Sequence, residues 1–506
     1  MKSLFKSTLI VMIMAVISRF IGFFRDILIA NNFGASSYTD AYKTATSIPE
    51  TIFMIVGLAI STSFLPMLSK VKVKKGIDEM HKFANNIINI LVVMSFVIFI
   101  IASFFPEEIV KLLASGLDKE TLKLASELAR ISLVNIIFLT INACFTALLQ
   151  VHEDFVIPSI LGLFFNIPII LYLLLFKSYN VHGLMVANVI GNFFRVAVQV
   201  PSLRSHGYRY KFFINFKDEK VKVILILIIP VVIGAGANSL NMIVDKRIAS
   251  SLGEGAITTL DNAQLLITFI NTIITTSIST VVYPILANRR NEGKHKEFLE
   301  ILSKSIVFLA ILLIPISMGV ILFREEIITI VYKRGMYSDS AVSLTVMALT
   351  GYAIGIFFTG VRDILNSILF SMGKTKITAK NGVIGVIINI ALSVTLSKKF
   401  GILGITVASS IAMMITSILL LINITKLVGE FKVKFLILKL IKIVISSFVM
   451  SLVIIIIKNF IVSLPMIFIV IIGTIIGIIT YFIMTLILKI EEVKEIVNLL
   501  KNKEIK

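Results

Sequence analysis

Charge is scarce in this chain and cysteine is nearly absent. Only 15% of the 506 residues are Asp, Glu, Lys or Arg, against roughly 25% in soluble domains. Hydrophobic residues make up 57% and the mean hydropathy is +0.99, which excludes an ordinary soluble fold and points to a polytopic membrane protein. The single cysteine, Cys144, lies in an apolar run, so one chain holds neither a disulfide nor a cysteine-based metal site. Five scattered histidines offer no metal-ligand spacing. A Walker-type Gly-Lys-Thr/Ser loop is also missing, because Lys374-Thr375 follows one glycine only. Loops are too short for an ATPase or glycosyltransferase domain, so an enzyme is not expected and no cofactor is called for. What the chain has in excess is base, with a net charge of +20. Its lysines and arginines sit in short loops between apolar runs, the positive-inside pattern, rather than forming a nucleic-acid surface.

Apolar runs long enough to span at about 20 residues each fall near 7–32, 44–68, 84–105, 127–149, 156–177 and 181–203. A second set falls near 223–250, 260–287, 303–323, 341–370, 378–397 and 402–425, and two more near 435–457 and 464–488. The expected fold is therefore an all-α integral membrane protein with fourteen transmembrane helices. The start is basic then apolar, like a signal peptide, but Arg19, Arg25 and Asp26 interrupt it and no small-residue cleavage site follows. A retained first helix is expected. With the N-terminus inside, one set of loops carries Lys70, Lys72, Lys74 and Lys75, then Arg204, Arg209, Lys211 and Lys217, then Arg289, Arg290 and Lys294. The longest opposite loop, near 106–126, balances three lysines against Glu107, Glu108, Asp118 and Glu120. Both termini are thus expected in the cytoplasm. Beyond the last run, 489–506 alternates apolar and charged residues and reads as an amphipathic cytoplasmic tail.

The chain repeats itself. Ile60-Ser61-Thr62 with Pro66 recurs 218 residues later as Ile278-Ser279-Thr280 with Pro284, and Phe105 with Glu107-Glu108-Ile109 recurs as Phe323 with Glu325-Glu326-Ile327. Asp26, Ile29-Ala30 and Gly34 match Asp245, Ile248-Ala249 and Gly253, while Gly162 and Asn166 match Gly385 and Asn389. Each half holds six helices, an even number, so both copies insert with the same orientation. Parallel repeats of this kind place a transporter's substrate site between two lobes near the midplane. The expected division is an N-lobe over 1–213, a C-lobe over 214–426 and two further helices within 427–488. No filter-like motif favours a channel.

Charges inside the apolar runs mark the candidate site. The first run holds Ser18-Arg19-Phe20-Ile21-Gly22-Phe23-Phe24-Arg25-Asp26. A charge near mid-bilayer costs about 2.5–3.5 kcal/mol on insertion scales, so such residues face a hydrated cavity or a partner. Arg19, Gly22 and Asp26 share one helical stripe, with Ser18 and Arg25 beside it, and Gly22 leaves the wall between the charges bare. Asp40, Lys43 and Glu50 follow in the next segment, and the second half adds Asp245, Lys246, Arg247, Asp261, Arg362 and Asp363. Arg130 and Arg195 lie near helix ends, where snorkelling to the interface is expected. Spaced guanidinium groups suit an anionic cargo such as a phosphate, with the acids as counter-charges.

Ser18-Arg19, Gly22, Arg25-Asp26, Ala30, Phe33-Gly34 and Thr39-Asp40-Ala41 resemble the first-hairpin signature of the MurJ (MviN) lipid II flippase family. Further matches are Ile48-Pro49, Phe64-Leu65-Pro66, Asp245 with Ala249-Ser250, Gly373-Lys374-Thr375-Lys376, Asn389-Ile390, and Gly404 with Ala408-Ser409-Ser410. The resemblance covers nearly the whole chain. It implies two pseudo-symmetric six-helix lobes around a central cavity, as in the multidrug/oligosaccharidyl-lipid/polysaccharide exporter superfamily, with the last two helices bordering a lipid-tail groove. It also implies a multi-pass protein of the bacterial cytoplasmic membrane. The implied function is flipping lipid II, the polyprenyl-pyrophosphate-linked disaccharide-pentapeptide of peptidoglycan synthesis, to the outer leaflet by alternating access. Membrane lipids and cell-wall synthesis proteins are the implied partners. The alternatives are a flippase for another polyprenyl-linked oligosaccharide and a drug or metabolite exporter of the same superfamily.

Carried over by position, Arg19, Arg25, Asp26 and Asp40 stand where the family has cargo-cavity charges. An arginine common on the family's second helix is missing from Glu50-Thr51-Ile52-Phe53-Met54, and the eighth helix has Gln264-Leu265-Leu266 where an arginine and an acid are expected. Lys246 and Arg247, with Arg362, complete the expected cargo-binding set. Some relatives bind sodium in the second lobe, and Asp245, Asn389, Ser393 and Ser409 are oxygen ligands at matching positions. Asp245 would equally pair with Lys246 or Arg247, and Asn389 would equally make an interhelical hydrogen bond. The drive is left between an ion gradient and the membrane potential.

Overall fold

The computed structural model describes residues 2–176, 180–218, 221, 240–429 and 433–494. Of the run expected over 223–250 only the part from 240 is described, and the expected tail lies outside the described residues from 495 onward. All regular structure among the described residues is helical. The order is α1 (Lys2–Phe33), α2 (Ser37–Ala59), a π-helical turn (Ile60–Phe64), α3 (Leu65–Lys75), α4 (Ile77–Phe104), α5 (Pro106–Leu113), α6 (Lys119–Ser132) and α7 (Asn135–Val151). Then come α8 (Val156–Leu175), α9 (Val181–Ala197), α10 (Gln199–Ser205), α11 (240–250), α12 (Ala256–Asn291) and α13 (His295–Leu322). The chain continues through α14 (Arg324–Tyr332), α15 (Asp339–Ile354), α16 (Ile356–Ser371), α17 (Thr375–Val428), α18 (Val433–Phe460) and α19 (Met466–Ile487).

Among the described residues eight helices are long and apolar enough to cross a membrane, or up to ten when the bent pairs α6/α7 and α15/α16 each count as one crossing. α17, at 54 residues, is broken at Gly401, whose φ of 57° is open to glycine at little cost. The π turn ends at Phe64, two residues before Pro66. Proline has no amide to return to the preceding turn, so the ladder widens there instead of closing as a regular α-helix.

The internal repeat of the sequence is visible in the helices. α4 and α13 have the same length, 28 residues, and begin 218 positions apart. Each is followed by a short helix, α5 or α14, and then by a bent pair, with bends of 41° and 48°.

The structure divides into two compact units, Met1–Thr258 with Arg334–Tyr337, and Thr259–Lys333 with Ser338–Lys506. In unit 1, α1 lies along α8, α8 along α9, and α2 against α6 and α7. Ile29, Phe33, Ile48, Leu128, Leu133, Ile136 and Phe165 share one core; Phe64, Leu68, Met80, Ile88, Cys144 and Leu148 share a second. Residues 240–258 join unit 1 through polar contacts: Ser250 Oγ accepts the Gly116 amide at 3.0 Å, and Asp40 accepts the Gly255 and Thr258 amides, each at 2.8 Å. In unit 2, α15 and α16 pack on α17, α13 on α16 and α18, and α18 on α19. Phe323, Met450, Ile454 and Ile469 form a core there, beside an ion pair of Lys458 with Glu326 at 2.5 Å.

Candidate functional site

The charged stretch of α1 is held against α8 by small residues. A Cβ placed at Gly162 would collide with the Ser18 hydroxyl, so glycine is what lets the two helices approach here. The bare wall expected at Gly22 is covered: the Asn166 amide nitrogen lies 3.3 Å from where a Gly22 Cβ would stand. Asn166 donates to the Gly162 carbonyl at 2.7 Å, which turns its own oxygen toward Arg25. Arg25 Nη1 donates to that oxygen at 2.9 Å, and its Nη2 pairs with the Asp26 carboxylate at 2.9 Å. Arg19, two turns earlier, is exposed.

Arg195 is where the sequence reading and the structure part. Snorkelling to an interface is the expectation; instead its guanidinium lies over the Phe165 ring of α8, with Cζ 4.0 Å from the ring centroid. Arg25 Cζ is 5.4 Å from the same centroid. Nη1 of Arg195 donates to Asn192 at 3.2 Å. Behind it runs a buried amide relay: Asn192 and Asn135 both donate to Asn188, which donates to the Tyr42 hydroxyl at 3.1 Å. Sequence gave one usable signal for this group, a helix repeating Asn188, Asn192 and Arg195 on one face.

The remaining candidates are distributed. Asp40 is buried, and besides the two amides it accepts the Thr258 hydroxyl at 2.6 Å, so it caps the first turn of α12. Lys246 Nζ lies 3.5 Å from the Lys43 carbonyl, and Arg247 Nε donates to Ser115 at 3.0 Å. Arg362 pairs with Asp363 at 2.8 Å and contacts the Met413 sulfur. Of the oxygen set, Asp245 belongs to unit 1 and lies 3.5 Å from the Asn241 amide nitrogen. Asn389, Ser393 and Ser409 belong to unit 2. There Ser393 donates to Asn389 at 3.4 Å, and the Ser409 hydroxyl bonds back to the Ile405 carbonyl.

Chemically, unit 1 therefore presents two guanidinium groups on apolar helices, each oriented by an asparagine and both against one phenyl ring. Guanidinium groups so placed have the paired donors that an anion takes, with Asp26 and Glu50 as the acids nearby.

Comparison with known proteins bears on the family of the chain. A family profile described as lipid II flippase MurJ matches residues 29–487. A probable lipid II flippase MurJ of Buchnera aphidicola subsp. Schizaphis graminum is 30% identical over 430 residues, covering 83% of this chain and 82% of the relative. The lipid II flippase MurJ of Burkholderia cenocepacia is 24% identical over 435 residues, covering 84% of each. A solved lipid II flippase MurJ in an inward closed conformation superposes with a TM-score of 0.82 at 26% identity, covering 95% of this chain and 99% of that one. An inward-facing multidrug transporter of the MATE family, in the MOP superfamily, shares the fold at 13% identity with a TM-score of 0.68, over 81% of this chain and 95% of that one. With its charged first helix, its repeated helical plan and a match along nearly its full length, this chain belongs to the MurJ family of lipid II flippases.

Proposed function

We propose that this protein carries lipid II from the cytoplasmic to the outer leaflet of the bacterial cytoplasmic membrane by alternating access. The observation that carries the reading is Arg25. An arginine within an otherwise apolar helix is fixed by Asn166 and Asp26 rather than released to an interface, a polar group held in the span as an anionic cargo would need. Arg19, Arg25 and Arg195 attract the pyrophosphate, Asp26 serves as counter-charge to Arg25, and the polyprenyl tail stays in lipid. Moving a charged head group through hydrocarbon is the energetic obstacle, and a cation-lined passage removes most of it.

The proposed topology has fourteen crossings with both termini inside. It is supported by the break of α17 at Gly401, which makes two crossings of one long helix, and by the apolar runs of α1, α2 and 223–250. α18 and α19 keep an apolar outer surface, including Ile441, Ile445, Phe448, Ile475 and Ile479, that suits a lipid-tail groove. Lys246, Arg247 and Arg362 are the proposed second-half cargo contacts. Asn389, Ser393 and Ser409 of unit 2 are proposed to offer oxygens to a sodium ion, and such an ion would couple flipping to a gradient.

The test is depletion of the protein in its own host, with redundant flippases removed, scoring lipid II at the outer leaflet with an externally added cleaving toxin. Expected is loss of cleavage with precursor accumulating inside, restored by the wild type but not by Arg25→Ala. Undiminished external cleavage would overturn the cargo assignment in favour of another polyprenyl-linked glycan.

A further inference from the structure

The non-helical segment that follows α10 is fastened to α4 far more firmly than a simple connection requires. Asn85, Asn86 and Asn89 each use both ends of their amide on it. Asn85 donates to the Arg209 carbonyl at 3.1 Å and accepts the Tyr208 hydroxyl at 2.6 Å. Asn86 donates to the Asn215 carbonyl and accepts the Asn215 amide. Asn89 donates to the Lys211 and Phe213 carbonyls and accepts the Tyr210 hydroxyl at 2.6 Å. The carbonyls of Arg209, Lys211, Phe213 and Asn215 thus all face α4, with the period of two of an extended chain. Tyr208 is buried against His81 and Phe145, and Ile214 packs on the same core.

What this fixed backbone leaves outside is aromatic and basic. Tyr210, Phe212, Phe213 and Phe216 are exposed, Phe212 by 74%. Arg204, Arg209, Lys211 and Lys217 are exposed among them, and 204–217 contains no acid. A contiguous apolar patch of this kind marks a surface that meets a membrane or another protein rather than water. Two registers set its level. Val181–Ser205, which the segment follows, has the length and hydropathy of one crossing, and the three asparagines stand at the start of the apolar run near 84–105. That level is the edge of the bilayer, where aromatic rings are favoured and bases meet lipid phosphates.

We propose that residues 209–217 form an interfacial anchor, with Phe212, Phe213 and Phe216 laid into the headgroup boundary and Arg209, Lys211 and Lys217 on anionic phospholipid headgroups. Charge complementarity selects the occupant: rings alone would suit any apolar surface, whereas bases interleaved with them suit a surface of phosphates above hydrocarbon. The anchor uses none of the proposed cargo residues, so it stands or falls apart from the flippase reading.

The chain has no tryptophan, so Phe212→Trp and Phe216→Trp each place a single fluorescent reporter in the full-length protein. The reporter is read in nanodiscs of phosphatidylcholine with a minor share of phosphatidylglycerol, one lipid brominated at a time, and again with aqueous iodide. Expected is quenching by brominated lipid with shielding from iodide. Brominated phosphatidylglycerol should quench about fivefold more per molecule than brominated phosphatidylcholine, the effect of a single base near an anionic surface. In the combined variant Arg209→Gln, Lys211→Gln, Lys217→Gln that preference falls to about onefold while contact with lipid persists. Thermal unfolding checks each variant, and Phe216→Trp carries the test if Phe212→Trp does not fold. Quenching by iodide alone puts the segment in water, and shielding from both quenchers means that protein covers it, the chain itself or a second copy; either result overturns the anchor. Equal quenching by the two lipids overturns the choice of anionic headgroups.

Discussion

Single side chains decide how closely the functional helices approach. Gly162 is the clearest case, because a methyl group there meets the Ser18 hydroxyl, while Ser18 Cβ stands at an ordinary 3.5 Å. Gly162→Ala is therefore expected to cost about 1 kcal/mol through a forced rotamer or helix shift and to weaken the Arg25–Asn166 contact one turn away. Ser18→Ala combined with it restores most of the loss. Thermal unfolding of the two single variants and the double variant checks this; a purely additive double would show that the hydroxyl is not the obstacle. Asp40 teaches a different point. The family resemblance makes it a cargo-cavity charge, and the structure adds a second task, accepting hydrogen bonds from Gly255 and Thr258. Nothing in the local sequence of Thr39-Asp40-Ala41 says that the donors come from more than two hundred residues downstream.

At the scale of elements, polar ladders join helix ends to loops. Asn85, Asn86 and Asn89 on α4 hold the extended segment 208–215: Asn85 bonds the Arg209 carbonyl, Asn86 both backbone groups of Asn215, and Asn89 the carbonyls of Lys211 and Phe213. Beside this ladder three of the five histidines meet. His81 and His152 are nitrogen to nitrogen at 3.0 Å, His206 stacks on His152, and Tyr208 presents its edge to His81. Lys72, bonded to the Val151 carbonyl, and Asp154, 3.6 Å from His206, are the charges alongside. Burial first, then His206, His81 and Lys72, push His152 down to about 4. A histidine depressed in the folded state binds fewer protons there than when unfolded, so stability is full above pH ~6.5 and is lost as pH falls from ~6.5 toward ~4. The melting temperature is expected to drop over that window, and His152→Gln to make the drop shallower. An equally steep drop in the variant would assign the loss to other groups. The long apolar helices were legible from run length alone. The short α5 and α14 were not, although Glu107-Glu108 and Glu325-Glu326 mark both, because eight or nine residues carry too little periodicity and each helix is fixed by the longer one it follows.

For the whole molecule, topology is the property most open to test. Cys144 is buried, so single cysteines introduced elsewhere report their own exposure. With both termini inside, cysteines at Lys75 and Lys217 react with a membrane-impermeant thiol reagent only in opened cells, and one at Leu117 reacts in intact cells. The reverse pattern would invert the orientation and with it the direction of transport. Composition and run length by themselves determined that the chain is a helical membrane protein, since hydrocarbon leaves a spanning backbone no alternative to internal hydrogen bonding. The same sequence determined the duplication, because a copied helix keeps its length and turn residues, as α4 and α13 do. It also held the Arg25–Asp26 pair, which is local. Only the tertiary structure brought Arg195 to Phe165 and Arg25, turned Asn166 into the covering of Gly22, and gave Asp40 to the first turn of α12. Those contacts join residues dozens to hundreds of positions apart, and a side chain's partner at that range depends on how helices pack, which no local pattern encodes.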